Sequence, residues 1–185
     1  MAQKSTIFKA ELQLSDLDRH YYVTHALTLA RHPSETDERM MVRLLAFALL
    51  AEEGLAFAKG LSTDDEPDLW QKDLTGAIER WVEVGLPDER RLRKACGRSE
   101  QVAVFIYGGR VAEMWWQQNR SALLKLENLT VVSLPQAATQ ALAACVSRNM
   151  QLQCTIQDGQ VWLGVAEESI LIEPETLQQA QSRVR

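Results

Sequence analysis

The stretch that decides the fold runs from Glu66 to Gly85 and reads EPDLWQKDLTGAIERWVEVG. Two runs rich in apolar and β-forming residues flank Thr75-Gly76, and this dipeptide favours a two-residue turn between antiparallel strands. A turn of that length fixes the register of the hairpin and places Trp70 opposite Trp81. Cross-strand aromatic pairs stabilise a sheet. The stretch therefore predicts a β-hairpin whose pairing is set by its own turn.

The same register brings two carboxylates face to face. Asp68 lies opposite Glu83, and Lys72 lies opposite Glu79, all on the face that carries the two tryptophans. Like charges at paired positions are destabilising unless exposure, a shifted pKa or a bound cation relieves them. Magnesium takes one or two carboxylates together with waters and phosphate oxygens. We therefore expect Asp68 and Glu83 to bind Mg²⁺ or Mn²⁺. The alternative is a longer turn and a register in which the two carboxylates never meet.

Periodicity and capping residues around the hairpin predict a mixture of helices and strands. The expected strands cover residues 6–14, 55–59, 68–74, 77–84, 102–107, 129–134, 152–156 and 161–165. The expected helices run from Asp18 to about Arg31, from Ser34 to just before Gly54, from Asp88 to Cys96, onward from Gly108-Gly109, and from Pro135 to Asn149. The last two strands flank Asp158-Gly159, a strong signal for a type I′ hairpin. This order predicts an α/β or α+β fold and excludes a doubly wound sheet.

Composition and length indicate an ordinary globular protein. The chain has 185 residues, a net charge of −5, 46% hydrophobic residues and 24% charged residues. These fractions exclude a disordered tail protein, a collagen-like chain and a disulfide-dense mini-domain. We expect a single domain over residues 1–185, with a core at about 34–134. The acidic balance argues against coating nucleic acid through bulk charge, but it leaves room for a local contact.

Cysteine usage and apolar run lengths predict a cytoplasmic protein. Cys96, Cys145 and Cys154 form no CxxC pair, so neither a structural zinc site nor a disulfide framework is expected. The longest apolar run, Leu44–Ala51, is far shorter than the roughly 20 residues that span a bilayer. The first residues contain no apolar core of signal-peptide length. We therefore expect a reducing compartment and no membrane partner.

Several stretches together resemble one family of bacterial proteins. They are SETDERMM at 34–41, PDLW at 67–70, WVEVGLPD at 81–88, Gly108-Gly109 and Trp115-Trp116. Through them the chain is similar, over essentially its whole length, to the YaeQ family. Pro67-Asp68 followed by Glu83 also resembles the PD-(D/E)xK nuclease signature. These resemblances imply a restriction-endonuclease-like α/β fold with a mixed sheet flanked by helices, here with an added N-terminal strand and helix and a C-terminal hairpin. Fold alone does not define activity.

One position departs from the nuclease pattern. Where that pattern has a lysine two residues after the acidic strand residue, this chain has Gly85. Such a lysine orients water and stabilises charge on the phosphate. Lys94, on the helix that follows, is the candidate replacement, and Arg91 and Arg98 share its helix face as candidate phosphate-binding residues. The alternative is that this face is only a solvated basic surface.

A further acidic residue lies on the long helix before the hairpin. Glu38 is in line with Met41 and Leu45 at helical spacing, so it points along the apolar stripe near the first turn. The resemblance to nucleases implies an acidic residue from this helix, and Glu38 would then help to position the metal or its water. The alternative is that Glu38 only stabilises the helix dipole.

Together these residues lead to the expectation of a metal-dependent phosphodiester hydrolase acting on nucleic acid. Asp68 and Glu83 hold Mg²⁺ or Mn²⁺, which activates water and neutralises developing charge, and Glu38 and Lys94 are further catalytic residues. The alternative is a catalytically inactive module that binds nucleic acid or a protein partner, and Gly85 at the lysine position favours it. A small-molecule phosphoester enzyme would use the same site.

Overall fold

The computed structural model describes residues 4–59 and 65–181. The chain divides into two compact units, each built from two separate segments. The first unit comprises Met1–Leu49 and Pro135–Pro174, and the second unit comprises Leu50–Leu134 and Glu175–Arg185. Each unit contains its own mixed sheet. The expectation of a single domain over residues 1–185, with a core at about 34–134, stays a prediction.

The described residues carry eleven strands and four helices. The strands are β1 (Thr6–Asp16), β2 (Tyr21–Arg31), β3 (Ala56–Phe57), β4 (Leu69–Lys72), β5 (Ile78–Val84), β6 (Ser99–Ile106), β7 (Leu129–Ser133), β8 (Asn149–Gln157), β9 (Gln160–Val165), β10 (Glu168–Ile172) and β11 (Glu175–Gln178). The helices are α1 (Asp37–Leu50), α2 (Glu89–Arg98), α3 (Arg110–Leu123) and α4 (Gln136–Ala144). Two mixed sheets with four helices confirm the predicted mixed α/β class. No helix in these described ranges is long and apolar enough to cross a membrane.

The sheet of the first unit has the strand order β10-β9-β8-β1-β2. Within it, β1 is antiparallel to β2 and parallel to β8. The strand predicted here is confirmed, because Phe8, Ala10, Leu12 and Leu14 are buried while the residues between them are exposed. Alternate side chains of a strand point to opposite faces. One face of this sheet therefore contributes to the apolar core and the other face is polar.

The expected helix from Asp18 to about Arg31 is wrong, since this segment forms β2. Its aromatic and β-branched residues favour a strand, and pairing with β1 satisfies the backbone groups on one side of it. The carboxylate of Asp18 caps no helix; it accepts hydrogen bonds from the backbone N–H groups of Asp158 (2.7 Å) and Gly159 (2.9 Å). These bonds join the turn after β1 to the turn after β8. The N-terminal addition is therefore a hairpin rather than a strand and a helix.

The long helix predicted after this segment is present as α1, with different ends. Thr36 Oγ1 accepts a hydrogen bond from the N–H of Arg39 (3.1 Å), so Thr36 caps the helix. The predicted cap, Ser34, bonds the ring of His32 instead (2.7 Å). The helix ends at Leu50, before the predicted stop at Gly54. Its apolar stripe is buried as predicted.

The C-terminal hairpin around Asp158-Gly159 is confirmed between β8 and β9. Both turn residues have positive φ, 52° and 74°, as a type I′ turn requires. The helix expected up to Asn149 ends at Ala144, because Asn149 already belongs to β8. The sequence patterns did not predict β10 and β11, and β11 pairs with β7 in the second unit.

The sheet of the second unit has the strand order β11-β7-β6-β5-β4-β3. Its strands β3, β4 and β5 are antiparallel, whereas β5, β6 and β7 are parallel and are connected through α2 and α3. A cluster of buried residues from β5, α2, β6, α3 and β7 forms its core: Trp81, Leu92, Ala95, Val102, Val104, Ile106, Ala112, Leu123, Leu129 and Val131. This packing brings the end of β5 beside the start of α2.

Candidate functional site

The hairpin of β4 and β5 has the predicted register near its open end. Trp70 pairs with Trp81, and their rings meet edge to face with centroids 6.4 Å apart. Beyond this pair the backbone N–H of Asp68 donates to the carbonyl of Val82 (3.0 Å), and the N–H of Val84 donates to Asp68 Oδ2 (2.8 Å). The side chain of Asp68 is therefore fixed at the end of β5.

The turned end of the hairpin differs from the prediction. The register shifts between Gln71 and Lys72, so that Lys72 pairs with Ile78, and the expected pair of Lys72 with Glu79 is wrong. The turn is longer than two residues, since Asp73 Oδ1 accepts hydrogen bonds from the N–H of Thr75 (2.8 Å) and of Ala77 (3.0 Å). The irregularity absorbs the extra turn length, so the register at the open end is unchanged.

Glu83 is the buried acid of the candidate site. Only 4% of its surface is exposed, and its Oε1 accepts hydrogen bonds from Trp81 Nε1 (2.7 Å) and Arg91 Nε (2.8 Å). Both donors end on the same oxygen. One edge of the carboxylate is therefore held by an indole and a guanidinium.

The pKa of Glu83 reflects both the burial of its carboxyl group and the charge of its acidic neighbour. Burial raises the pKa of this carboxyl from 4.5 to about 7, and the negative charge of Asp68 adds to the rise. The positive charge of Arg91 and the hydrogen bonds from Trp81 and Arg91 oppose it. The two carboxylates that the sequence placed opposite each other therefore interact in the structure.

Arg91 is the basic residue that reaches the acidic pair. It lies in the first turn of α2, where its backbone N–H donates to the capping carboxylate of Asp88 (2.8 Å), as the predicted cap requires. Its guanidinium bonds Glu83 through Nε and donates through Nη2 to the carbonyl of Glu66 (2.9 Å). The sequence had placed Arg91 on a phosphate-binding face and missed its bond to Glu83.

The two other basic residues of this helix face meet a different acid. Lys94 Nζ lies 3.0 Å from Asp65 Oδ1, and Arg98 Nη1 lies 3.6 Å from the same oxygen. The hydrogen bond and charge of Lys94 lower the pKa of Asp65. Arg98 also stacks over the ring of Trp81, 5.4 Å from its centroid. The shared helix face is thus present, and Lys94 extends from it to the loop before β4.

Glu38 lies in the first unit, near the start of α1. Its Oε1 accepts a hydrogen bond from the hydroxyl of Thr139 on α4 (2.8 Å). Thr139 is fully buried, and this bond satisfies its polar group. The described geometry of Glu38 is therefore that of a contact between two helices of its own unit.

The donor set of Asp68 and Glu83 suits a hard divalent cation. Both ligands are carboxylate oxygens, which Mg²⁺ and Mn²⁺ prefer, and the bonds shown on Glu83 among the described residues all end on Oε1. No three His, Cys, Asp or Glu side chains within residues 4–59 and 65–181 are grouped so that they could hold a metal ion. A cation here would thus need waters or phosphate oxygens to complete its coordination.

Backbone geometry explains the glycine at position 85, where a lysine would stand in the nuclease pattern. Gly85 has φ of +98°, a conformation that costs other residues about 1–2 kcal/mol. A Cβ there would meet no atom within 4 Å, so the cost of a side chain would come from the backbone alone.

We expect Gly85→Lys to lower the free energy of unfolding by about 1–2 kcal/mol because of this strain. Urea denaturation followed by circular dichroism measures it. Gly97→Ala is the matched control, since Gly97 lies inside α2, where alanine is favourable by up to about 1 kcal/mol. A Gly85→Lys variant as stable as the wild type would contradict the backbone explanation.

Comparisons with known proteins agree with one another. The family model described as "YaeQ protein" matches residues 1–174. An "Uncharacterized protein YaeQ" from Salmonella typhi is 48% identical over 179 residues, which cover 97% of this chain and 99% of that protein. Its counterpart from Escherichia coli (strain K12) is 50% identical over 163 residues, covering 88% of this chain and 90% of that protein.

Two crystal structures resemble the described fold. The YaeQ protein from Xanthomonas axonopodis pv. citri has a TM-score of 0.92 and 50% identity, and the match covers 96% of this chain and 99% of that one. The YaeQ protein from Pseudomonas syringae has a TM-score of 0.90 and 39% identity, with 95% and 97% covered. The likeness therefore extends over both units.

Proposed function

The chain belongs to the YaeQ family, and from that premise we propose that it is a metal-dependent phosphodiester hydrolase acting on nucleic acid. One observation carries the proposal: the N–H of Val84 holds the carboxylate of Asp68 (2.8 Å) at the end of β5, beside the buried Glu83. Burial and the charge of Asp68 together raise the pKa of Glu83. The basic face of α2 reaches this pair through Arg91, which bonds Glu83 directly. Paired carboxylates beside basic residues suit a substrate with a phosphate backbone.

The proposal includes a restriction-endonuclease-like core of the PD-(D/E)xK type in the second unit. Three features support it: Pro67-Asp68 immediately before β4, the antiparallel β4–β5 hairpin, and the passage from β5 through α2 to the parallel strand β6. Gly85 in place of the motif lysine is the departure. Under this proposal Lys94 supplies the missing positive charge.

The residues of the candidate site each have a role in this mechanism. Asp68 and Glu83 would hold a divalent cation, which supplies activation of water and neutralisation of charge. Val84 N–H orients the Asp68 carboxylate, and Trp81 orients Glu83. Lys94 and Arg98 would bind the phosphate backbone. The proposal is argued from the second unit, and the expected role of Glu38 stays a prediction.

A cytoplasmic location is part of the proposal. The described cysteines, Cys96, Cys145 and Cys154, are free thiols, and burial raises the pKa of Cys96 to about 11 and of Cys154 to about 12. Free thiols are usual for proteins of a reducing compartment.

The proposed cation site predicts metal binding that depends on both carboxylates. We expect calorimetric titration with Mn²⁺ to show binding to the wild type and none to Asp68→Asn or Glu83→Gln, because each variant removes a ligand charge. Glu79→Gln, on the same strand, is the matched control and should bind as the wild type does. Undiminished binding to Glu83→Gln would rule out the site.

Turnover is tested separately on single-stranded DNA, duplex DNA and RNA with Mg²⁺ or Mn²⁺. We expect product with the wild type and only background with Glu83→Gln. Equal, background-level product from both proteins on all three substrates would contradict the hydrolase.

A second candidate is a binding module without catalysis. The observation in its favour is the bond between Arg91 and Glu83, which already neutralises the buried acid without a metal. Binding of the nucleic acid or protein partner would then be unchanged in Glu83→Gln and weaker in Lys94→Gln. A steep dependence of affinity on salt would identify a nucleic acid, and a flat dependence would identify a protein partner.

A further inference from the structure

We infer that Arg91 is the resident cation of the acidic pair, that it competes with a divalent cation for Glu83, and that a phosphodiester group relieves this competition by binding Arg91. Cation and phosphodiester would therefore bind cooperatively. The inference rests on the proposed function, because it takes Asp68 and Glu83 as the cation site. It adds the condition under which a divalent cation occupies that site.

The first step is the position of the guanidinium. Arg91 Nε lies 2.8 Å from Glu83 Oε1, so the positive charge of Arg91 compensates the negative charge of Glu83. Glu83 is almost fully buried, whereas a quarter of the Arg91 side chain is exposed. Part of the Arg91 side chain therefore lies at the surface, where a dissolved anion can approach it.

The second step is the charge balance. Asp68, Glu83 and Arg91 together carry two negative charges and one positive charge when both acids are ionised. A divalent cation added beside Arg91 would meet a positive charge a few ångströms away, and burial leaves that repulsion poorly screened. Binding of the cation therefore becomes more favourable when Arg91 turns away from Glu83.

The third step is the ligand that suits Arg91 in its turned position. A guanidinium can form paired hydrogen bonds with two oxygens of a phosphate, which suits Arg91 to a phosphodiester group. Lys94 and Arg98 follow Arg91 on the same helix face and offer further positive charge. Asp65, which both of them approach, is exposed and can yield to a stronger anion.

The test is a linkage measurement on the wild-type protein. Mn²⁺ affinity is measured by calorimetry with and without dimethyl phosphate at constant ionic strength, and dimethyl phosphate affinity with and without Mn²⁺. We expect each ligand to tighten the other by the same factor, in the range of about 5- to 150-fold that is typical of coupled sites. Equality of the two factors is required by thermodynamics and checks the measurement.

Variants assign the coupling to Arg91. Arg91→Gln should bind Mn²⁺ more tightly than the wild type without phosphate, and its coupling factor should fall towards 1. Arg93→Gln is the matched control, because Arg93 lies on the same helix and pairs with Glu89. Arg91→Lys keeps the charge if the glutamine variant does not fold, and it should also lose most of the coupling since it lacks the fork.

The outcomes separate the inference from the proposed function. Mn²⁺ binding without coupling, or coupling that persists undiminished in Arg91→Gln and Arg91→Lys, overturns the inference and leaves the hydrolase proposal standing. No Mn²⁺ binding to the wild type or to Arg91→Gln, with or without dimethyl phosphate, overturns both.

Discussion

Replacing Glu35 by alanine is expected to lower the free energy of unfolding by about 3–5 kcal/mol, the usual cost of removing one partner from a buried ion pair. Glu35 is buried in the first unit, where its Oε1 lies 2.6 Å from Arg43 Nη2 and its Oε2 lies 2.7 Å from Arg39 Nη1. Arg43 is itself buried and also donates to the carbonyl of Ala30 (3.1 Å). Without Glu35 the positive charge of Arg43 would remain in the interior with its carboxylate gone.

Urea denaturation of the variants measures this loss. Asp37→Ala is the matched control, since Asp37 pairs with Arg31 at the start of α1 but is 44% exposed, and its loss should cost at most about 1 kcal/mol. The double variant Glu35→Leu with Arg43→Met should recover most of the stability, because an apolar pair replaces the buried charges. Equal losses in Glu35→Ala and Asp37→Ala would show that burial does not govern these pairs.

We expect the free energy of unfolding of the wild type to fall by about 3 kcal/mol relative to that of Glu83→Gln as the pH rises from 4.5 to 7. The folded-state pKa is about 7 and the ordinary value is 4.5, and each unit corresponds to about 1.4 kcal/mol. Between these two pH values the folded state binds more protons than the unfolded state, so stability falls as the pH rises. Below this window the contribution is fully present, and above it the loss is complete.

This dependence is read from the difference between two proteins, which cancels the other titrating groups. Free energies of unfolding are measured from pH 4 to pH 8 for the wild type, for Glu83→Gln and for Glu79→Gln as the control on the same strand. The charged groups that act on Glu83 are Asp68, which raises its pKa, and Arg91, which lowers it. Parallel stability profiles for the wild type and Glu83→Gln would contradict the burial of an ionisable Glu83.

Local chemistry made much of the fold predictable. The helix α2 and its cap at Asp88 follow from a capping residue and a basic amphipathic run, and the β8–β9 hairpin follows from Asp158-Gly159. The pairing of Trp70 with Trp81 was predicted correctly, but from a two-residue turn, whereas the observed turn is longer. The pairing is right because the cross-strand contacts hold the register, while an irregularity near Lys72 absorbs the longer turn.

The segment of β2 shows where local chemistry is insufficient. Its apolar residues allow a helical as well as an alternating interpretation, and Asp18 is a good cap in isolation. Eleven residues of β1 are available to pair with it, and this pairing satisfies the backbone groups on the side of β2 that faces β1. The choice between the two was therefore made by the neighbouring strand.

The sequence by itself determined the family, the mixed α/β class and the opposition of Asp68 and Glu83, because these depend on residue identity and on alternation along paired strands. Only the tertiary structure decided that Arg91, rather than Lys94, bonds Glu83. Both residues occupy the same helix face, so sequence spacing treats them alike. Which of the two reaches Glu83 depends on the position of α2 relative to the end of β5. Core packing around Trp81 and Leu92 sets that position.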